Sequence, residues 1–305
     1  MVGIVILNWN GLDDTLRCLE SLQKAIPSTI SSQIVVIDNG STINPGDEIK
    51  RNFPGVDYVR LDTNVGYAGG SNLGAKRALA AGADFILFLN NDTIIDSDFL
   101  TPLIQSFNIE RNLGVVSPLI YRAGTGDIEY SGGMINYAFG RFAPRHAPLR
   151  EPAPLRWCDY ASGCCMLVHR DTFQRVGLFD EFFFAYFEDT DFSTRARSAG
   201  LRVACRSDAS VLHKGSSTTR SELTQGTTSP LKHYLVARNR LLLIRRHGSL
   251  VSRVFFLVVV QPCSIAYYLA GFALRFRVRK AYAYLSGIRD GLGDPNAKPR
   301  IDKWL

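Results

Sequence analysis

The chain has 305 residues, of which 46% are hydrophobic and 21% are charged, a composition typical of a globular protein with a substantial core. It excludes an intrinsically disordered, collagen-like or disulfide-scaffold protein. The formal net charge of +7 would by itself suggest a nucleic-acid or membrane-surface partner. However, residues 230–305 contain 14 Lys and Arg against three Asp, whereas residues 1–229 have more acidic than basic residues. The sequence is therefore a mildly acidic body followed by a strongly basic C-terminal segment.

The cysteines and the N-terminus indicate the compartment. The six cysteines include no CxxC pair, and residues 1–7 form an apolar run too short for a signal peptide. We therefore expect a reduced, cytosolic protein whose thiols pack in the interior.

The first ninety residues show alternating strand and helix patterns. Runs of β-branched and aromatic residues predict strands at residues 2–7, 34–37, 57–61 and 84–89. Leucines at helical spacing predict a helix beginning at Leu12, and a second helix fits residues 71–81, ended by Gly82. This alternation predicts βαβ units and a mainly parallel sheet.

Polar loops follow all four predicted strands. They contain Asn8-Trp9-Asn10-Gly11, Asp38-Asn39-Gly40-Ser41, the segment from Asn64 through Gly66 and Gly70 to Asn72, and Asn90-Asn91-Asp92-Thr93. Such residues also form ordinary turns, so a single loop would carry little weight. Because ligands bind beyond the carboxyl ends of strands in an open α/β sheet, four such loops in register predict one polar crevice.

The residue types in these loops suit a nucleoside diphosphate and a cation. Asp38 can accept a hydrogen bond from the imide N–H of uracil or thymine, and Trp9 can stack on the same base. The glycine-rich segment 66–71 before a helix can approach a diphosphate closely. It is not GxGxxG, which disfavours a nicotinamide dinucleotide site. Asp92 is a suitable ligand for Mg²⁺ or Mn²⁺.

The segments ILNWNG, VIDNGS, NVGYAGGSNLG and LNNDT, followed by YASGCCMLVHRDTFQRVGLFDEFFFAYFEDTDFSTRARSAGLRV, closely resemble the family 2 glycosyltransferases. Within that family, the sequence is most similar to the rhamnosyltransferase-like group of bacterial polysaccharide biosynthesis. The resemblance implies the α/β GT-A fold, with a donor-nucleotide half at 1–92 and an acceptor half at 93–215. Residues 216–305 would form a C-terminal helical, membrane-associating extension.

The resemblance also implies roles for individual residues. It implies donor binding by Asn8, Trp9, Asn10, Asp38, Asn64, Gly66, Gly70, Asn72, Asn90 and Asn91. Residues 90–92 occupy the place of the metal-binding DxD motif, but Asn90 replaces its first carboxylate. We therefore expect Mg²⁺ or Mn²⁺ to depend on Asp92, on the donor diphosphate and on His213, which matches a histidine ligand of some relatives.

A catalytic base is expected in the acidic and aromatic segment between residues 179 and 192. Inverting transfer needs one carboxylate to remove the proton of the acceptor hydroxyl, and aromatic surroundings would raise the proton affinity of that carboxylate. Asp189 resembles the base of the family. The alternative, that these acids only begin a helix, is the interpretation we prefer for Asp191, as the cap of that helix.

The basic segment contains a predicted helix at 231–247 and an uncharged stretch, 254–274, with arginines on both sides. Its length permits a membrane span. Gln261, Pro262 and Ser264 at its centre favour an interfacial or re-entrant helix at the cytoplasmic face of the membrane. A spanning helix, or a helix packed on the body or on a second copy in a homo-oligomer, are the alternatives.

The sequence therefore predicts an inverting, metal-dependent enzyme that transfers a sugar, rhamnose from dTDP-rhamnose, to a glycan or lipid-linked acceptor. A nucleic-acid-binding protein is disfavoured, because the basic residues flank an apolar run and do not interleave with stacking aromatics. A nucleotide-sugar-binding pseudoenzyme remains an alternative because of Asn90.

Overall fold

The computed structural model describes residues 1–147, 154–215 and 229–304. The chain divides into two compact units, one formed by residues 1–133, 144–180 and 189–218 and the other by 134–143, 181–188 and 219–305. The second unit thus takes in two short segments that the predicted division at residue 216 left in the first. Their aromatic residues explain this, because Tyr137, Phe142 and Phe183 cluster with Leu242 and Leu243.

In the part of the chain that the structure describes, the first unit is built on a ten-stranded mixed sheet. Its strands are β1 (Val2–Asn8), β2 (Ser32–Asp38), β3 (Asp57–Arg60), β4 (Phe85–Asn90), β5 (Thr93–Ile94), β6 (Leu113–Arg122), β7 (Ile128–Tyr130), β10 (Leu155–Trp157), β11 (Cys165–His169) and β12 (Arg202–His213), while β8 (Gly133–Asn136) and β9 (Arg141–Pro144) form a separate pair. The order of hydrogen-bonded strands across the sheet is β10-β12-β6-β11-β4-β1-β2-β3, with β5 paired to β12 and β7 paired to β6. Strands β1 to β4 are parallel, which confirms the predicted βαβ units, whereas β11 is antiparallel to both of its neighbours.

Within the described residues, six α-helices accompany this sheet: α1 (Leu12–Ala25), α2 (Gly46–Asn52), α3 (Gly66–Ala80), α4 (Leu100–Ile109), α5 (Arg170–Val176) and α6 (Glu188–Ser198). The core between sheet and helices holds aliphatic side chains of β1, β2 and β4 and an aromatic group. In that group, Phe179 lies 4.6 Å from Phe88 and 5.3 Å from Phe192 between ring centroids.

Helix α3 begins five residues earlier than predicted. The backbone N–H of Gly66, whose φ is +84°, donates to Oδ1 of Asn64 at 2.8 Å and starts the helix there. The glycines therefore lie in the first turns of α3 and not in an open loop before it. A Cβ atom at Gly70 would lie 2.3 Å from Cδ1 of Leu7, so glycine at this position lets the helix approach β1.

The second unit is mainly helical, with α7 (Pro230–His247), α8 (Leu250–Phe255), a π-helical turn at Phe256–Val260, α9 (Gln261–Ala273) and α10 (Val278–Leu292). Helix α7 confirms the predicted helix at 231–247. Its residues Leu241 and Ile244 pack with Phe256, Phe272 and Ile288.

The segment from α8 to α9, Leu250–Ala273, is one continuous 24-residue helical stretch that is long and apolar enough to cross a membrane. Only 11% of its most apolar window is buried. Apolar side chains are correspondingly exposed along it, among them Val251, Val258 and Tyr267.

Candidate functional site

The ends of β1 and β2 are joined by Asn8 and Asp38. Parallel pairing sets the two residues side by side, and Nδ2 of Asn8 donates to Oδ1 of Asp38 at 2.9 Å. Oδ1 of Asn8 accepts hydrogen bonds from the Thr15 hydroxyl at 2.9 Å and the Gly11 N–H at 3.3 Å. Asn8 is buried and thus ties both strand ends to the start of α1.

Asp38 is fully buried and forms an ion pair. Its Oδ2 accepts from Nη1 of Arg60 at 2.9 Å, and its Oδ1 accepts from the Ser41 hydroxyl. Arg60 ends β3, and a third of its side chain is exposed. Both carboxylate oxygens therefore have partners within the protein, and the predicted contact of Asp38 with a pyrimidine stays a prediction.

The loop after β1 contains Trp9 and Asn10. Trp9 is half-buried, whereas Asn10 is exposed and has a φ of +53°. The Asn10 N–H donates to the Ser41 hydroxyl at 2.8 Å, and its Oδ1 accepts from the Thr42 N–H at 2.8 Å. These bonds fasten the loop after β1 to the loop after β2 and leave Trp9 beside them.

Asn64 and Asn72 both use their side chains within the protein. Oδ1 of Asn64 accepts from Asn39 at 2.9 Å as well as from Gly66. Asn72, on α3, exchanges two hydrogen bonds of 2.9 and 3.0 Å with the backbone of Phe179. Asn72 thereby connects α3 to the segment that leads toward the acidic residues, and donor contacts by either asparagine stay predictions.

Strand β4 ends at Asn90, and the next two residues are held differently. Asn90 is half-buried, and its backbone N–H donates to the carbonyl of Cys164 at 2.8 Å. Nδ2 of Asn91 donates to the Thr15 hydroxyl at 3.0 Å. Asn91 therefore secures α1, whereas Asp92 comes next in the chain and is buried.

Asp92 meets His213, which is 121 residues later in the chain. Strand β5 pairs with the end of β12, so that Thr93 lies opposite His213, and the Lys214 N–H donates to the Asp92 carbonyl at 3.0 Å. As a result, Oδ1 of Asp92 lies 3.2 Å from Nε2 of His213. The structure thus brings together the two side chains predicted as metal ligands.

The other ring nitrogen of His213 faces Glu129. Nδ1 lies 3.3 Å from both carboxylate oxygens of Glu129. Burial lowers the pKa of His213, but the Cys164 sulfur and the hydrogen bonds to Asp92 and Glu129 outweigh it and raise the pKa well above its usual value. Among the described residues, no group of three or more His, Cys, Asp or Glu side chains is arranged to hold a metal ion.

Asp189 lies in the first turn of α6. Its Oδ2 accepts from the Gly163 N–H at 2.8 Å, and its Oδ1 accepts from the Thr190 N–H at 2.6 Å and the Thr190 hydroxyl at 3.1 Å. Burial raises the pKa of Asp189, and these hydrogen bonds oppose the rise only in part. A carboxyl group with a raised pKa is a better proton acceptor once it is ionised.

The sequence predicts Asp191 as the cap of α6, and this prediction is wrong. Helix α6 begins at Glu188, so Asp191 lies within the first turn, where its Oδ2 accepts from Nε of Arg195 at 2.7 Å. Asp191 is buried and pairs with Arg195, which lies one helical turn later in α6. The pair therefore stabilises α6.

A short turn connects the predicted base to the predicted metal ligands. Gly163 donates to Asp189, and the next residue, Cys164, accepts from the end of β4 through its carbonyl group. The thiol of Cys164 lies beside His213 and is buried, which raises its pKa. Tyr67 adds a bond of 2.6 Å from its hydroxyl to the Gly163 carbonyl.

Three of these partners were not found from the sequence. Glu129 occurs in no recognised motif, Gly163 lies in the recognised segment YASGCC but has no assigned role there, and Arg60 lies in a predicted strand. A predicted parallel pairing of β2 with β3 could have indicated the contact of Arg60 with Asp38, because this pairing sets the two residues opposite each other.

Residues 3–177 match the family model described as Glycosyl transferase family 2. The chain is 30% identical over 223 residues to N-acetylglucosaminyl-diphospho-decaprenol L-rhamnosyltransferase of Mycobacterium tuberculosis, covering 65% of this chain and 70% of that protein. It is 25% identical over 245 residues to a low-salt glycan biosynthesis hexosyltransferase of Haloferax volcanii, covering 79% of this chain and 74% of that protein. It is 24% identical over 216 residues to a dTDP-rhamnosyl transferase of Shigella flexneri, covering 70% and 71%.

The fold is similar to that of solved glycosyltransferases. One is GalNAc-T7 with UDP, GalNAc and Mn²⁺, at a TM-score of 0.63 and 17% identity over 80% of this chain and 48% of the other. Another is TarS of S. aureus in complex with UDP-GlcNAc, at a TM-score of 0.60 and 19% identity over 100% and 83%. These similarities confirm the GT-A fold. The matching family model and the rhamnosyltransferase and hexosyltransferase relatives show that the chain belongs to glycosyl transferase family 2 and is a glycosyltransferase.

Proposed function

We propose that this protein catalyses the inverting, metal-dependent transfer of rhamnose from dTDP-rhamnose to a glycan or lipid-linked acceptor. The observation that carries the proposal is the Asp92–His213 pair, with 3.2 Å between Oδ1 and Nε2. The turn at Gly163 and Cys164 connects this pair to Asp189. A candidate cation site and a candidate base thus lie on neighbouring backbone segments of one unit.

The Asp92–His213 pair fits a divalent cation. The Asp92 carboxylate and the His213 imidazole lie 3.2 Å apart between Oδ1 and Nε2, close enough that both would be able to contact one cation. Carboxylate and imidazole together suit Mn²⁺, and carboxylate alone suits Mg²⁺. When bound, the cation would neutralise charge on the departing nucleoside diphosphate. With Asn90 in place of a carboxylate, Asp92 and His213 would hold the cation together with oxygens of the donor diphosphate.

Asp189 would act as the general base. Its carboxylate would accept the proton of the acceptor hydroxyl as that oxygen attacks the anomeric carbon and the bond to the nucleoside diphosphate breaks. The Gly163 and Thr190 bonds hold the carboxylate in one orientation, which lowers the cost of placing it against the acceptor.

The donor and the acceptor are inferred from relatives. Two of them are named as rhamnosyltransferases, and the Mycobacterium tuberculosis protein is named for an N-acetylglucosaminyl-diphospho-decaprenol acceptor. The thymine of the donor would bind beside Asp38 and Trp9. Its imide N–H would donate to the Asp38 carboxylate, and its ring would stack on Trp9. For this contact, Arg60 would move away from Asp38, or the carboxylate would accept from Arg60 and thymine together.

A lipid-linked acceptor would require contact with a membrane, and the second unit has a suitable surface. Val251 and Val258 are 79% and 69% exposed, and Phe276 is 92% exposed. Arg253, Arg275 and Arg277 flank the apolar stretch, and basic residues near an anionic bilayer contribute about 1 kcal/mol each. We propose that this surface lies in the interface at the cytoplasmic face of the membrane.

A donor panel tests the catalytic proposal. The full chain would be incubated with dTDP-rhamnose, UDP-GlcNAc or GDP-mannose and a lipid-diphosphate sugar acceptor, with and without Mn²⁺, and product would be measured. We expect turnover with dTDP-rhamnose and Mn²⁺, loss of turnover in Asp92→Asn, and little change in the exposed control Asp96→Asn. Donor binding without turnover of any sugar would instead support a pseudoenzyme.

Vesicle flotation tests the membrane proposal separately. We expect the protein to float with phosphatidylglycerol vesicles at low salt, and Val258→Asp to float less. Ile43→Asp is the matched control, because Ile43 is 81% exposed but lies in the first unit. Equal flotation of Val258→Asp and the unmodified protein would contradict the proposed surface.

A further inference from the structure

Glu129 lies against the ring nitrogen of His213 that faces away from Asp92. Its two carboxylate oxygens are each 3.3 Å from Nδ1, whereas Nε2 is 3.2 Å from Oδ1 of Asp92. The imidazole therefore lies between two carboxylates, one on each nitrogen. About a tenth of the His213 side chain is exposed, against 29% for Glu129.

Strand pairing brings Glu129 to this place. Strand β7 carries Glu129 and pairs antiparallel with the end of β6, while β12 carries His213 and pairs parallel with the same part of β6. Tyr121 of β6 lies opposite Ile128 of β7 and Leu212 of β12. Glu129 and His213 are therefore both fixed to one strand, although 84 residues separate them in the chain.

We propose that Glu129 is a positioning residue that holds the proton of His213 on Nδ1 and directs Nε2 toward the cation. This inference rests on the proposed role of His213 as a metal ligand. A neutral imidazole can carry its proton on either nitrogen, and the partner of one nitrogen determines which nitrogen is available to a metal.

A second effect of the same contact is on affinity. A carboxylate that accepts from the distal N–H of a ligating histidine fixes the ring and makes the other nitrogen more basic, and loss of such a partner costs about 10–100-fold in metal affinity. Glu129 would not itself bind the cation, because it approaches the nitrogen opposite the one that faces Asp92.

Mn²⁺ titration of the full chain, followed by the electron paramagnetic resonance signal of free Mn²⁺ in the presence of dTDP, tests the inference. Glu129→Ala should bind Mn²⁺ about 10–100-fold more weakly. Glu129→Gln, whose amide oxygen can still accept from Nδ1–H, should retain more of the affinity. The control Glu110→Ala removes a carboxylate that pairs with Arg202 at 3.0 Å and should have no effect.

A second measurement separates positioning from general destabilisation. With Mg²⁺ and dTDP in place of Mn²⁺, the ¹⁵N shifts of the His213 ring should show a proton on Nδ1 and none on Nε2 in the unmodified protein, and Glu129→Ala should show a smaller fraction of this form at the same Mg²⁺ concentration. If Glu129→Ala does not fold, Glu129→Asp, whose carboxylate is one methylene farther away, serves in its place.

The outcomes are distinguishable. Unchanged Mn²⁺ affinity in a folded Glu129 variant would overturn the role of Glu129 while leaving the metal proposal intact. No Mn²⁺ binding by the unmodified protein would overturn the metal proposal itself.

Discussion

The backbone N–H of Gly163 donates a hydrogen bond of 2.8 Å to Oδ2 of Asp189. Because Thr190 donates twice to Oδ1, both oxygens of this carboxylate are oriented before any substrate binds. The carbonyl of the neighbouring Cys164 accepts from Asn90 at the end of β4. The orientation of Asp189 therefore depends on the same turn that adjoins the Asp92–His213 pair.

Replacement of Asp189 by Asn should abolish most of the activity without unfolding the protein. The amide oxygen can still accept from Gly163 or from Thr190, although not from both as the carboxylate does, and the side chain cannot accept a proton. General-base catalysis is worth about 10²–10⁴-fold, so we expect kcat to fall by that factor while KM for the donor stays within a few-fold. Asp159→Asn is the control, because Asp159 pairs with Arg197 at 3.0 Å. Full turnover by Asp189→Asn would exclude Asp189 as the base.

The pH dependence of the reaction should respond to Thr190. Burial raises the pKa of Asp189, and hydrogen bonds from Gly163 and Thr190 lower it in part. Activity needs the ionised carboxylate, so it should fall as the pH drops through this raised pKa, above the ordinary value of 3.8. Thr190→Val removes one donor to the charged form and should raise the pKa further. We therefore expect the acid limb of the kcat/KM profile to move to higher pH in Thr190→Val; a shift to lower pH would contradict the assignment.

The local part of this architecture could be predicted from the sequence. Strand runs and the polar residues that follow them are adjacent in the chain, so β1, β2, β4 and their loops were found within one or two residues. The start of α3 is not predictable in this way, because glycines favour loops in a sequence pattern, whereas Gly70 here allows the helix to pack on Leu7.

Long-range partners were predictable only where a family resemblance supplied them. His213 was matched to a known histidine, but no local pattern pairs it with Glu129 across 84 residues. Similarly, Asp38 was identified while its buried ion pair with Arg60 was not. Such contacts arise from the order of strands in the sheet, which the sequence pattern of one strand does not contain.

Helix α3 should tolerate no methyl group at Gly74. A Cβ there would lie 2.4 Å from Cγ1 of Val5 in β1, and overpacking of this kind costs about 1–3 kcal/mol. Gly55→Ala is the control, since a Cβ at Gly55 meets nothing within 4 Å. We expect urea unfolding to show a lower free energy of unfolding for Gly74→Ala and almost none of that loss for Gly55→Ala. Equal stability of the two variants would mean that α3 can move away from β1 at little cost.

The Asp38–Arg60 pair should show strong energetic coupling. Arg60→Gln leaves the carboxylate of Asp38 buried, with Asn8 and Ser41 as its remaining side-chain partners. Loss of one partner of a buried pair costs several kcal/mol. Because Arg60 is one-third exposed, we expect the lower value of about 1–3 kcal/mol.

A double-mutant cycle measures this coupling. Asp38→Asn removes the charge that needs Arg60, so adding Arg60→Gln to it should cost much less than Arg60→Gln alone, with a non-additivity of about 1 kcal/mol or more. Arg77→Gln is the control, because Arg77 and Asp57 form a bidentate pair at the surface that should be worth about 1 kcal/mol or less. Additive effects of the Asp38 and Arg60 substitutions would show that Asn8 and Ser41 alone support the buried carboxylate. Arg60 would then be free to leave Asp38 when a nucleotide base binds.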